Sequence, residues 1–308
     1  MTVVSAKRNK KINEISNFSN LVINGFFWIY SALCVLPLIL VIAVSFSDEK
    51  LVLVNGYKLW PEKFSSGAYD FLLSDWASIA RSYGVSIFVT VFGTLIALAT
   101  MALYAYPISR QDFKHRKVFS FIMFFTLLFN SGLVPFYLLY TQGFHLRDTI
   151  WVLMIPYFVQ PFYVLILRTF FTNSVPAALM ESAKIDGAGE WRIFAQIVLP
   201  LSLPVLATVG LFCTLNYWND WFLSLLFINQ DSLISIQFRM YQALLDITFL
   251  SANSTAYSAI LAQNPDFQLP TETVTMAMAV VGIGPIVFAY PFFQRFFVKG
   301  LTVGAIKG

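Results

Sequence analysis

Few side chains in this sequence have the types and spacing that chemistry needs. Asp220 stands out, because it falls in the run Asn216-Tyr217-Trp218-Asn219-Asp220-Trp221, where aromatic faces alternate with hydrogen-bonding groups. That combination suits a sugar, whose C–H faces stack on rings while its hydroxyls need partners. A second charged group, Glu181, Lys184, Asp186 and Arg192, occupies the polar interval 174–204. The remaining reactive types lead nowhere. His115 sits among Arg110, Lys114, Arg116 and Lys117, His145 stands alone, and neither has a second His or Cys at metal spacing. Cys34 and Cys213 are too far apart in apolar sequence to suggest a disulfide. No G-x-x-x-x-G-K-[ST] phosphate loop occurs, so the chain is not expected to hydrolyse ATP alone.

The elements that position these groups are apolar. Among the 308 residues 58% are hydrophobic and 12% charged, about half the charge of a soluble domain. With 32 Phe and two Cys, this excludes a disordered chain and a disulfide scaffold. A polytopic membrane protein remains. Spanning about 30 Å at 1.5 Å per residue takes about 20 residues of helix. Six stretches qualify: 21–46, 83–107, 118–140, 149–171, 201–228 and 273–298. The expectation is an all-α membrane domain over 21–298 with tails at 1–20 and 299–308 and long loops at 47–82 and 229–272. The first span is too long for a signal-peptide core, and no small-x-small cleavage site follows it. With the amino terminus inside, inner segments hold 14 of the 20 basic residues, namely Lys7, Arg8, Lys10, Lys11, Arg110, Lys114, Arg116, Lys117, Arg168, Lys184, Arg192, Arg295, Lys299 and Lys307. That excess predicts both termini in the cytoplasm and the long loops outside.

Asp220 then lies inside the fifth expected span, where an unpaired carboxylate costs several kcal/mol, so it should face the protein interior or a water-filled cavity. Asn216, Asn219, Asp220 and Trp221 are candidates for a translocation pathway. The structural alternative stays open: Asp220 satisfied by helix backbones or a gate partner, and Trp218 or Trp221 in an interfacial aromatic belt. In 174–204, Ser174 can cap a helix with Pro176 in its first turn, and Gly187 can end it in the left-handed region. Trp191, Phe194, Ala195 and Val198 then form an i, i+3, i+4, i+7 stripe that can rest on the membrane-facing base. This predicts a cytoplasmic knob with Glu181, Lys184 and Asp186 available to a partner. An ordinary loop with amphipathic helices on the membrane surface is the other reading. No paired broken spans mark inverted repeats.

The run ESAKIDGAGEWRIFAQIVLP resembles the EAA motif of ABC importer permeases, with Glu181, Ala183, Asp186, Gly187, Ala188, Phe194, Ile197, Leu199 and Pro200 at the family's positions and Ser182 in place of the usual Ala. Residues 130–156, the segment LFCTLNYWNDWFLSLLFIN and the end FVKGLTVGAIKG extend the likeness over essentially the whole chain. They are similar to the carbohydrate-importer branch that includes the maltose permease G subunit, and most similar to its LplC- and YtcP-type complex-oligosaccharide subgroup. The resemblance implies a type I ABC importer permease fold in the bacterial cytoplasmic membrane. It also implies that segment 174–200 couples to a separate ATPase, with Glu181, Ala183, Asp186, Gly187, Ala188, Phe194, Ile197 and Pro200 forming the contact. No cofactor is expected in this chain, and ATP and Mg would be held by the ATPase dimer. The other implied partners are a second homologous permease, an extracytoplasmic sugar-binding lipoprotein and membrane lipid, with no nucleic acid. The carboxy-terminal tail would reach the ATPase interface. Alternatives are an ABC permease for a non-sugar solute, an ion-coupled secondary transporter, or a membrane-embedded enzyme. The last lacks any carboxylate cluster or nucleophilic constellation to support it.

Overall fold

A computed structural model describes residues 16–253, 255, 257, 258, 262, 271–294 and 296. The tails 1–15 and 299–308, with Lys7, Arg8, Lys10, Lys11, Lys299 and Lys307, lie outside the described residues, as do Asp266 and Arg295. The chain divides into two compact units, residues 1–71 with 270–280, and residues 72–269 with 281–308.

The smaller unit begins with α1 (Asn17–Ser45), capped by the Ser16 hydroxyl, which accepts from the Ser19 amide at 3.2 Å. Only 6% of its most apolar window is buried, as expected of a helix that is hydrophobic all round and solvated by lipid. A tight turn leads into α2 (Glu49–Asn55) and then α3 (Gly67–Leu72). Glu49 carries the unit's main polar junction. Its carboxylate accepts from the Thr271, Glu272 and Thr273 amides at 2.9–3.0 Å and from the Thr271 and Thr273 hydroxyls at 3.1 and 2.6 Å. Those amides are the orphan donors at the start of the final helix (Glu272–Ile283), so a side chain far away in sequence caps it.

The larger unit is built on α4 (Trp76–Ser109), against which the later spans pack. Next come α5 (Arg116–Leu128) and α6 (Leu133–Leu138), then α7 (Pro161–Ser174), α8 (Ala177–Ile185), α9 (Glu190–Ile193), α10 (Leu199–Leu201), α11 (Leu203–Trp218), α12 (Phe222–Phe227) and α13 (Ile236–Ala252). Among the described glycines, Gly93 of α4 is the most tightly enclosed. A β-carbon there would fall 2.8 Å from the Tyr217 ring of α11, and that ring is buried with its hydroxyl donating to Met154 O at 2.9 Å. The expected loops are not structureless: 47–82 holds α2, α3 and the start of α4, and 229–272 holds α13.

Among the described residues, three helical stretches are long and apolar enough to span, namely Phe18–Ser45, Gly67–Ser109 and Glu272–Gln294, and three bent pairs bring the total to six if each is one span. The bend in the third span falls where Asn130, Ser131, Gly132 and Pro135 predict a kink, whereas those in the fourth and fifth depart from continuous spans. Arg116–Leu128 and Leu133–Gly143 meet at 116°. Between them Gly132 takes φ +82° while the Asn130 side chain accepts from its amide at 2.9 Å, a local turn that competes with the helix. Pro161 follows a 48° bend, and Pro200 and Pro204 flank an 80° bend at Ser202, because proline removes the amide that the helix ladder needs.

In the last span, Gly284 and Pro285 break the helix. Pro285 has no amide to give Val281 O, and the Tyr83 hydroxyl takes that carbonyl instead. The Gly282 carbonyl, freed by the tighter turn of Gly284–Phe288, accepts from Trp218 Nε1 at 3.0 Å and Gln237 Nε2 at 2.8 Å. In an apolar environment such substitution is what makes a broken helix tolerable.

Candidate functional site

Segment 174–200 forms two short helices at an exposed turn. Ser174 ends α7 rather than capping α8; Pro176 holds the cap position without a side-chain bond. At the other end the Ala188 amide donates to Ala183 O at 2.9 Å and the Gly187 amide to Lys184 O at 3.0 Å. This pair of bonds is a Schellman cap, with Gly187 at φ +81° in the left-handed position. Three motif residues thereby acquire a physical role, since Gly187 supplies the backbone angle while Ala183 and Ala188 are the small residues brought together beneath it. Ile185 is 86% exposed at the tip, and Glu181, Asp186 and Pro200 are also exposed.

After Gly187 the predicted stripe is corrected. α9 gives way at once to a π-helical turn, Phe194–Val198, which adds a residue per turn and shifts the phase. Ile193, Phe194 and Val198 are buried and Ile197 half-buried, whereas Trp191 is 75% exposed and Ala195 is exposed.

Lys184 is not free for a partner. Its ammonium lies 2.8 Å from Asp112 Oδ2 and 2.7 Å from Glu190 Oε1. Arg110 holds Asp112 with two bonds, Nε to Oδ1 at 3.1 Å and Nη2 to Oδ2 at 2.8 Å, and Tyr106 donates its hydroxyl to Glu190 Oε2 at 2.6 Å. Hydrogen bonds from Arg110 and then Lys184 hold the Asp112 carboxyl well below the usual carboxylate range, and Asp112 and then Glu190 raise the Lys184 ammonium. The knob is thereby tied to the end of α4 and the connection that follows it. Tyr106, Asp112 and Glu190 carry no signal as site residues in the sequence, and Arg110 reads there only as one of the inner basic residues.

The pathway candidates separate. Asp220 lies at the break between α11 and α12, not inside a continuous helix, and is half-buried. Its carboxylate accepts from the Tyr157 hydroxyl at 3.0 Å and from the Leu223 amide at 3.3 Å, which caps α12. Asn216, one turn earlier on the same face, donates to Gln160 Oε1 at 3.2 Å and to the Tyr163 hydroxyl at 3.3 Å. Asn219 is exposed at the end of α11, and Trp221 packs against Tyr241 with ring centres 4.5 Å apart and planes tilted by 31°. Trp218 is buried and bonded to Gly282, so it does not sit in an interfacial belt. Gln160, Tyr157 and Tyr163 complete a polar seam that the sequence hinted at only through a Gln beside Pro161 in an apolar run.

Long apolar helices and bent apolar pairs, with a capped and exposed knob, are the architecture of a multi-pass membrane protein. The family described as "Binding-protein-dependent transport system inner membrane component" matches residues 109–303, and the chain belongs to it. It is 37% identical over 289 residues to the polygalacturonan/rhamnogalacturonan transport system permease protein YtcP of Bacillus subtilis, covering 94% of this chain and 98% of that one. It is 35% identical to Protein LplC of the same organism over the full length of both. A chain of a bacterial ABC transporter involved in import of the acidic polysaccharide alginate, known from its crystal structure, superimposes with TM-score 0.75 at 27% identity, covering 92% of this chain and 99% of its own. The fold is that of a type I ABC importer permease.

Proposed function

We propose that this chain is one of two homologous permease subunits of an ABC importer, translocating an oligosaccharide or polysaccharide fragment delivered by an extracytoplasmic binding lipoprotein. Both termini lie in the cytoplasm, as the distribution of basic residues favours. A separate ATPase dimer binds ATP and Mg and seats the α8–α9 knob, contacting Glu181, Asp186 and Gly187 at the tip. Ala183, Ala188, Phe194, Ile197 and Pro200 hold its shape. The observation that carries this reading is the knob itself: a Schellman-capped turn with its charged tip exposed and its base ion-paired to the connection that follows α4.

The polar seam supplies the passage. Asn216, Asn219 and Trp221 offer hydrogen bonds and a stacking face to a sugar, while Asp220 holds the break that presents them. Names of the relatives, which include a polygalacturonan/rhamnogalacturonan transport system permease and a transporter involved in the import of alginate, support a carbohydrate substrate. The test is reconstitution of this chain with the second permease and the ATPase in liposomes. ATP hydrolysis should rise when sugar-loaded binding protein is added. Uptake driven by an ion gradient with no ATPase present would overturn the proposal.

A further inference from the structure

A cleft of about 670 Å³ opens between α5 and α7. Arg116, Lys117 and Arg168 line it together with Ser120, and no carboxylate does. None of these three cations has an acidic partner among the described residues; Arg168 only donates to Ile108 O at 3.4 Å. Ser120 Oγ is buried with no hydrogen-bond partner. The cleft is thus a concentration of uncompensated positive charge with a spare hydroxyl in its wall, at the end of an apolar span.

A second, mostly apolar groove of about 580 Å³ runs along the same helix, and Phe124, Leu165 and Thr169 line both. Leu127 and Phe162 extend it away from the charges. Phe162 precedes Arg168 by six residues, about 9 Å of helix. The apolar walls are open: Phe124 is 50% exposed and Phe162 57%. A cationic pocket continuous with an apolar channel matches a molecule that is anionic at one end and hydrocarbon at the other. Basic pockets between spans are a known way for membrane proteins to hold anionic headgroups.

We propose that this cleft is a binding site for an anionic phospholipid, its phosphodiester held by Arg116, Lys117 and Arg168 and one acyl chain lying along α7 between Phe124 and Phe162. The site needs only that the chain spans a bilayer, and stands apart from the coupling and sugar assignments.

The test uses the assembled importer in nanodiscs containing phosphatidylglycerol with a photoreactive acyl chain. Labelling should map to the α5 and α7 peptides, and the same probe on phosphatidylcholine should label them weakly. R116Q/K117Q should lower phosphatidylglycerol labelling on the order of 10-fold. T169W, which narrows the shared wall without changing charge, should lower it as well, so the result does not depend on the double variant alone. Equal labelling by the two lipids, or labelling unchanged in both variants, would overturn the site. Displacement by millimolar inorganic phosphate would assign the pocket to the free anion instead. Labelling of the isolated chain that vanishes in the full complex would assign the groove to the second permease.

Discussion

The ammonium of Lys184 in α8 stands 2.7 Å from the carboxylate of Glu190 in α9, bridging the two arms of the turn at Gly187. Because Glu190 is also bonded to Tyr106, a push on the tip reaches α4 through polar contacts rather than through a slack loop. Lys184→Met should therefore weaken coupling more than stability. A partly exposed ion pair contributes about 1 kcal/mol or less, so thermal unfolding should move little while ATPase stimulation by loaded binding protein falls. Undiminished stimulation would separate this bridge from coupling.

Gly187 tests the turn itself. Nothing lies within 4 Å of an added β-carbon, so substitution there meets only backbone strain, about 1–2 kcal/mol for a residue forced into the left-handed region. Transport should rank Gly, then Asn, then Ala, with Val weakest. Paired reversal at Glu181 and Asp186, or Gly187→Arg, should abolish ATPase docking while membrane insertion persists; docking measured by co-purification that survives these changes would remove the assignment.

Acid should loosen the base of the knob. Asp112 has its folded-state pKa depressed by hydrogen bonds from Arg110 and Lys184, so its contribution is complete above the unfolded value of about 3.9 and is lost as pH falls below it. Hydrogen exchange in α8, corrected for intrinsic rate, should be flat from pH 7 to about 5 and rise below about 4. Asp112→Asn should remove that rise. Glu49 has the same sign in the other unit: burial raises its pKa, but bonds from Thr273, Glu272 and Thr271 outweigh it, so protection at the start of the final helix should also fade in acid.

Asp220 and Trp221 should part company. Asp220→Asn keeps one oxygen to accept from the Leu223 amide and can turn its NH2 to donate to the Tyr157 hydroxyl, so it should leave stability and uptake close to normal. Asp220→Ala loses the cap and strands the Tyr157 hydroxyl, costing about 1–3 kcal/mol. Trp221→Ala should raise the KM for sugar uptake with little change in unfolding temperature. If Asp220→Asn alone stops uptake in a fully stable protein, the carboxylate belongs to the pathway and not to the scaffold.

Gly93→Ala should be costly for its size. The added methyl meets a ring fixed by its bond to Met154, and overpacking of this kind costs about 1–3 kcal/mol. Thermal unfolding of the double variant with Tyr217→Leu, which clears the space, would show recovery if the clash is the cause.

Hydropathy made the apolar stretches legible, and Gly187 was legible because a glycine after a helical pattern has one economical use. The bends were only half visible. Asn130, Gly132 and Pro161 announce interruption, but the angles of 116° and 48° depend on what the next segment packs against. The stripe from Trp191 to Val198 failed because the π-helical turn changes the period on which that reading rests. Lys184 could not be read as paired, since Asp112 comes beside it only once α4 and α8 are folded. Of the two roles left open for Asp220, the structure fits the one in which helix backbone and a partner side chain satisfy it, but the break at Asn219 that makes this possible has no mark in the apolar pattern.

The joint at Pro285 has its two loose carbonyls held by Tyr83, Trp218 and Gln237, side chains of three different elements. The tighter turn is consequently not satisfied within the last helix: its carbonyls depend on donors from α4, α11 and α13, so Tyr83→Phe alone leaves Val281 O without the hydroxyl that replaces the missing Pro285 amide.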